Sequence, residues 1–192
     1  MANTANWTLL PISINARGNK NASILENGKP LKIKLHPTTA PFGAGLFNDN
    51  GTSTRLNLDL QCDEVYLEFC TAVDEWCIEQ LTSRSTEFFK TKKSRAEVEA
   101  IFKPSATPHC SKGIEYAPTL RTKINTLGTN AVRCWNPDKT AREIPERGLA
   151  WKGATITPEM QITSIWFMQG ACGVVYETTH AIIENDIIEC PF

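Results

Sequence analysis

The spacing of apolar residues changes twice along this chain, and this change constrains the fold more than any other feature. Early segments such as Arg55 to Leu60 alternate apolar and polar residues, which is the pattern of a half-buried strand. From Asp63 to Leu81 the apolar residues recur every three or four positions, which predicts an amphipathic helix. Alternation returns after Pro118. The predicted order is therefore three strands, a helical insertion and four further strands.

A second, shorter helix completes the predicted insertion. Ser94 and Glu97 have the spacing of a capping box, and Pro104 ends the segment. Because the strands are short and numerous and the helices are confined to residues 63–103, we expect a mainly β fold, an OB-type antiparallel β-barrel with an inserted helical element. We expect residues 1–192 to form a single OB-like domain, with an acidic C-terminal tail at residues 184–192.

The composition is that of a globular protein, with 41% hydrophobic and 21% charged residues. No apolar run approaches the ~20 residues that cross a bilayer, and the first residues lack the basic-then-apolar order of a signal peptide. The seven cysteines include no C-x-x-C pair, and an odd count favours reduced thiols over a disulfide framework. We therefore expect an intracellular protein with no membrane partner.

The sequence contains no recognised catalytic or metal-binding motif. His36, His109 and His180 are its three histidines, and it has no G-x-S-x-G, no G-x-x-x-x-G-K-[ST] and no D-x-D cluster. His109 is next to Cys110, but no second ligand pair follows at zinc spacing. We predict no enzymatic activity, no cofactor and no metal. A nucleophilic Cys110 paired with a distant histidine is the alternative.

Positive charge is concentrated in the middle of a chain whose net charge is only −1. From Arg84 to Arg142 there are twelve Lys and Arg against five Asp and Glu, or +7, and the remainder has eight against sixteen, or −8. No Lys or Arg follows Lys152. Such segregation gives a local positive field that a polyanion would feel within a Debye length of about 10 Å. Scattered solvated charges are the alternative.

The densest cluster of positive charge adjoins two phenylalanines, in the stretch EFFKTKKSRAEVEAIFKPS from Glu87 to Ser105. This stretch allows two interpretations. One is a helix whose apolar side abuts a solvated basic turn. The other is a surface that holds a polyanion, with lysines on phosphates and a ring stacked on a base. We expect one of Phe88 and Phe89 to pack inward and the other to stay accessible, and the sequence leaves open which.

Two predicted strands each place two cations on a single face. Lys32 and Lys34 alternate with apolar residues in LKIKLH, and Arg121 and Lys123 do so in TLRTKI. Because successive strand residues point to opposite faces, each pair of cations shares one side of its strand. We expect the resulting basic sheet surface to follow the phosphates of a nucleic acid.

Several pieces, taken in order, resemble a family of viral single-stranded DNA-binding proteins with an OB-fold, found in large DNA viruses of algae and protists and related distantly to phage helix-destabilising proteins. The pieces are PTTAPFGAGLFND, TRLNLDL, VDEWCIEQ, FFKTKKSRAEVEAIFKPS, YAPTLRTKI and GATITPEMQITSIWFMQGACGVVYETTHAIIE. They span roughly residues 30 to 184. The connection TPHCSKG and the first thirty residues depart from the pattern. The resemblance implies sequence-independent binding and protection of single-stranded DNA in replication and recombination, at the site of viral DNA replication in the host nucleus or cytoplasm.

The resemblance also implies a set of residues that contact the DNA. To these we add four cations and one aromatic residue from predicted strands. The residues implied by the resemblance are Phe42, Phe47, Phe88, Phe89, Lys90, Lys92, Lys93, Lys103, Tyr116, Arg121 and Lys123. The added residues are Lys32, Lys34, Arg55, Arg133 and Trp135. Trp135 precedes the turn NPDK, where it is either a stacking residue at the rim or a core residue at a strand end.

The chain ends in ENDIIECPF, which has acids and a terminal Phe192. This segment is either a frayed strand end or a docking element that recruits replication proteins. The rival functions are a protein–protein interaction module and an RNA-binding module on the same scaffold. Homo-oligomerisation is left open by the sequence.

Overall fold

The computed structural model describes residues 4–15, 18–46, 55–143 and 151–185. The chain divides into two compact units, each assembled from three separate segments. Unit 1 comprises Met1–Leu31, Glu64–Ala106 and Ile162–Val175. Unit 2 comprises Lys32–Asp63, Thr107–Gln161 and Tyr176–Phe192. The single OB-like domain over residues 1–192 stays a prediction.

The described residues form fourteen strands and three helices. The strands are β1 Trp7–Leu9, β2 Ser13–Ile14, β3 Lys20–Glu26, β4 Lys29–Lys34, β5 Thr38–Thr39, β6 Ala44–Leu46, β7 Arg55–Gln61, β8 Phe102–Lys103, β9 Ala106–Ser111, β10 Ile114–Asn125, β11 Arg133–Trp135, β12 Ala141–Arg142, β13 Thr155–Met168 and β14 Ala171–Glu184. The helices are α1 Glu64–Ser83, α2 Ser85–Phe89 and α3 Arg95–Ile101.

The helical insertion has the predicted place, and its two predicted helices are confirmed. Every apolar position that the helical spacing assigns to the inner face of α1 is buried. These positions are Tyr66, Phe69, Cys70, Val73, Trp76, Cys77 and Leu81. Ser94 caps α3, because its hydroxyl accepts a hydrogen bond from the Glu97 N–H while the Glu97 side chain accepts one from the Ser94 N–H. No helix among the described ranges is both long and apolar enough to span a membrane.

Strands of unit 1 pair around β3. This strand pairs antiparallel with β1, β2 and the end of β13, where Phe167 is the register partner of Lys20. The segment that leaves α3 becomes β8, which pairs in parallel with β14 through Phe102 and Cys172. Trp7 and Trp76 meet edge to face with ring centroids 5.4 Å apart, so the first strand packs against α1.

Strands of unit 2 pair around β10. This strand runs antiparallel to β7 over seven residue pairs, from Thr119–Gln61 to Asn125–Arg55, and its inward residues Leu120, Thr122 and Ile124 are fully buried. β14 pairs in parallel with β10 and β11. The predicted class, mainly β with an inserted helical element, is confirmed. Strand pairing is mixed rather than wholly antiparallel as predicted, because β14 pairs in parallel with β8, β10 and β11, while β7 and β10 pair antiparallel.

Candidate nucleic-acid interface

In unit 1 a sharp turn after α2 sets the positions of the two adjacent phenylalanines. Lys90 has a left-handed backbone conformation (φ 65°), and its N–H donates to the Thr86 carbonyl at 3.1 Å, which ends the helix. At the end of the turn, the backbone N–H of Lys93 donates a hydrogen bond to the Ser85 hydroxyl of α2 at 3.1 Å. The basic turn is therefore folded back onto α2.

The structure decides which phenylalanine is accessible. Phe88 is buried, with 5% of its surface exposed, and it stacks on Phe167 at 5.9 Å with the ring planes 8° apart. Phe89 is half-buried and meets the same ring edge to face at 6.0 Å. Phe88 therefore supports Phe167 from beneath, and Phe89 is the ring of the pair that a ligand can reach.

These rings line a cleft of about 550 Å³ in unit 1, which we call the aromatic cleft. Its lining includes Lys20, Phe88, Phe89, Lys93, Phe167 and Met168. The Lys93 ammonium lies 5.8 Å from the Phe89 ring centroid, and Met168 is 60% exposed. The cleft thus combines accessible apolar surface with cations, and Lys90 and Lys92 are exposed on the turn beside its lining residues.

Among the lining residues named above, sequence reasoning missed Lys20, Phe167 and Met168. Trp166 and Phe167 are consecutive residues of β13 and therefore lie on opposite faces of the strand, and both are half-buried. Gly170, in the hairpin connection after Met168, was a usable signal, because side chains beside a tight turn project at the end of a sheet. The contact of Phe167 with Phe88 and Phe89 joins residues about eighty positions apart, so local sequence could not reveal it.

In unit 2 the predicted cations of β4 share a carboxylate with each other. The ammonium groups of Lys32 and Lys34 lie 3.7 and 3.4 Å from the Glu159 carboxylate of β13. The lysine side chains are 57% and 81% exposed and that of Glu159 is 18% exposed, so the acid lies beneath the cations. Burial opposes ionisation of Glu159, but Lys34, His180 and Lys32 outweigh it and hold its pKa below the ordinary value.

The cations of β10 also have acidic neighbours on adjacent strands. The Arg121 guanidinium donates two hydrogen bonds to Asp59 of β7, at 2.8 and 3.0 Å. Arg55 lies 3.8 Å from Glu177 of β14. Burial, followed by the charge of Arg55, lowers the pKa of Lys123, and Glu177 acts in the opposite direction. The sequence predicts a basic sheet surface, whereas the folded strands place acidic residues beside these cations and form a surface of mixed charge.

Trp135 lies beside a second cleft, of about 390 Å³, which we call the Trp135 cleft. All of its lining belongs to unit 2 and includes Lys34, Trp135, Lys139, Glu159, His180 and Ile182. Trp135 is half-buried, which agrees with a rim position better than with a core position. Arg133 is exposed and is the register partner of His180 on β14. Two predicted residues, Lys34 and Trp135, therefore line this cleft, and two others, Lys32 and Arg133, are neighbours of its lining residues Glu159 and His180.

The remaining predicted aromatic residues have separate surroundings. Phe42 is 47% exposed and meets the His109 ring edge to face at 5.7 Å. Tyr116 is 54% exposed at the start of β10, in a hairpin with β9 that accounts for the unplaced TPHCSKG connection. Lys103 is exposed on β8. Phe47 and Phe192 lie outside the described residues, and so does most of the acidic tail.

Within the described ranges no three His, Cys, Asp or Glu side chains are grouped closely enough to hold a metal ion.

No protein-family model matches the chain, and no curated protein matches it. Among solved structures, it is similar to the single-stranded DNA-binding protein of bacteriophage Enc34 in complex with ssDNA, with 9% identity and a TM-score of 0.45 over 96% of this chain and 99% of that one. It is also similar to gp2.5, a single-stranded DNA-binding protein encoded by bacteriophage T7, with 11% identity and a TM-score of 0.46 over 80% of this chain and 86% of that one.

Proposed function

We propose that this protein binds single-stranded DNA independently of sequence and protects it during replication or recombination, inside the cell at the site of viral DNA replication. The observation that carries this proposal is the aromatic cleft of unit 1. Phe89 and Phe167 form an accessible aromatic surface there, and Lys93 and Lys20 lie at its lining. Replication proteins, recruited by the C-terminal tail, are proposed as further partners.

The chemistry of the aromatic cleft fits an unpaired nucleotide. Every nucleobase has an apolar π-face that stacks on a phenyl ring, and each stacked base contributes about 1–3 kcal/mol. The lysines supply the charge that a phosphate requires, and neither interaction reads the identity of the base. In a duplex both faces of a base are covered by its neighbours, so stacking in a cleft selects single strands.

The test is a fluorescence-anisotropy titration of labelled oligo-dT, repeated from low to high salt. The Phe89→Ala variant should bind more weakly by about five- to 150-fold, which corresponds to one lost base stack. The affinity of the wild-type protein should fall with salt, with a log–log slope of about −0.7 for each phosphate neutralised.

The matched control is Leu67→Ala, which shortens an exposed apolar side chain of unit 1 on α1, outside the lining of the aromatic cleft. It should leave affinity unchanged. Equal affinity for duplex DNA, a flat salt response, or equal effects of the Phe89 and Leu67 variants would each refute the proposal. Competition between RNA and DNA oligomers of the same sequence separates a DNA-binding protein from an RNA-binding one, and DNA should compete better.

A further inference from the structure

The Trp135 cleft of unit 2 combines three features that a nucleotide requires. Its volume of about 390 Å³ lies in the range of small-ligand sites, which begins at about 300 Å³. Trp135 and Ile182, which are register partners on β11 and β14, provide apolar surface. Lys34 and Lys139 in the lining provide positive charge. A ligand with a flat apolar part and an anionic part fits this arrangement.

Local structure holds the cations of this cleft in place. Lys139 has a left-handed backbone conformation (φ 67°) in the turn between β11 and β12, where the Asn136 N–H donates to the Thr140 carbonyl at 2.9 Å. Arg133 lies beside His180 through the pairing of β11 with β14. The two lining cations therefore come from a strand and a closed turn, and Arg133 lies next to the lining residue His180.

Glu159 is the acidic residue in the lining of this cleft. Its carboxylate accepts contacts from Lys32, Lys34 and the His180 ring, the last at 3.3 Å from Nδ1. The two lysine side chains are mostly exposed, and exposed ion pairs are worth about 0.2–1 kcal/mol, so a lysine can turn from this carboxylate to a ligand phosphate at small cost. The carboxylate therefore occupies the lysines when no ligand is present.

We propose that the Trp135 cleft is a second nucleotide-binding site for single-stranded DNA, in which a base stacks on Trp135 and a phosphate is bound by Lys34 and Lys139. The phosphate then replaces Glu159 as the ionic partner of Lys34. The proposal rests on the proposed function, since it takes the ligand to be a nucleotide of a bound strand. It assigns to Glu159 the role of an internal competitor that weakens binding at this site.

The test follows the indole N–H resonances of the protein by NMR during titration with oligo-dT. Trp135→Phe assigns the Trp135 signal, which should shift on binding. The Trp151 signal should stay in place, because Trp151 is in the same unit but only 7% exposed. The Trp135 shift should persist in the Phe89→Ala variant, because all lining residues of the Trp135 cleft belong to unit 2.

Two variants give opposite expectations for affinity. Trp135→Ala should weaken oligo-dT binding about five- to 150-fold, with recovery in Trp135→Phe. Glu159→Gln should strengthen binding about two- to fivefold, because it removes the competing charge and frees the lysines. A merely structural role of Glu159 would weaken binding instead, so a lower affinity of this variant overturns the assignment.

The outcomes separate the two proposals. If the wild-type protein binds no oligonucleotide, both fail. If binding depends on Phe89 but the Trp135 signal does not move, the proposed function stands and the second site is overturned. If the cleft takes free dAMP but no oligonucleotide, it is a mononucleotide site and the strand-binding proposal is likewise overturned.

Discussion

Asp74 makes the stability of unit 1 depend on pH in a direction opposite to that of most carboxylates. It lies on α1 and accepts two hydrogen bonds from Ser105, from the backbone N–H at 2.9 Å and from the hydroxyl at 2.5 Å. Burial raises its pKa from 3.8 to about 6, although both hydrogen bonds favour the charged form. The pair joins α1 to the chain just after β8, where the insertion that carries Phe88 and Phe89 ends.

The magnitude follows from linkage. The folded state holds the Asp74 proton more tightly than the unfolded chain, so the group contributes stability below its unfolded pKa of 3.8 and loses it as pH rises through about 6. A pKa raised from 3.8 to about 6 corresponds to about 3 kcal/mol. At neutral pH the ionised Asp74 therefore lowers the free energy of unfolding by up to this amount.

The variant Asp74→Asn isolates this contribution. Its amide resembles the protonated carboxyl group, because the oxygen can accept from the Ser105 N–H and the NH₂ group can donate to the Ser105 hydroxyl oxygen. In urea unfolding followed by circular dichroism, the variant and the wild-type protein should differ little near about pH 4, and the variant should be about 3 kcal/mol more stable near about pH 8. Ser105→Ala, which leaves the carboxylate with one hydrogen bond fewer, should be destabilised more at the higher pH. A difference between Asp74→Asn and wild type that does not change with pH, or a variant that is less stable at the higher pH, would refute the reasoning.

Three further predictions concern packing and charge. Gly173→Ala should lower the melting temperature, because the added Cβ would lie 3.0 Å from the Trp166 indole, and such overpacking costs about 1–3 kcal/mol. Gly45→Ala is the control, since its added Cβ would have no atom within 4 Å. Phe88→Ala should lower the free energy of unfolding by about 3–5 kcal/mol in urea titration, since the ring is buried against Phe167, and a loss under 1 kcal/mol would contradict this burial. Lys92→Gln should reduce the salt slope of oligo-dT binding by about 0.7 without changing stability, and an unchanged slope would remove this lysine from the interface.

Local sequence was sufficient for the features that depend on neighbouring residues. The inner face of α1 follows from helical spacing alone, and the Ser94–Glu97 capping box follows from two residues three positions apart. The opposite faces of β10 follow from alternation, since Leu120 and Ile124 are buried while Arg121 is exposed. These features are local because helix and strand geometry fix the direction of each side chain relative to its neighbours.

The candidate sites were only partly predictable, because their members come together through strand pairing between distant segments. Lys32 and Lys34 are readable as a cationic pair, but their partner Glu159 lies more than a hundred residues away on β13. The pairing of Arg121 with Asp59 likewise requires the register of β10 on β7. The alternation of charge on one strand cannot reveal which acids lie on the next.

The sequence by itself determined that a helical insertion separates two regions of strands, and it determined the inner face of α1, because both depend on residue spacing within one segment. It did not determine the number of strands, since seven were predicted and fourteen are present among the described residues. The tertiary structure decided that Phe88 is buried and Phe89 accessible, that Phe167 joins them from β13, and that Trp135 lines a cleft together with Glu159 and two lysines. Two adjacent phenylalanines have the same local pattern, so only packing against residues far along the chain can distinguish them.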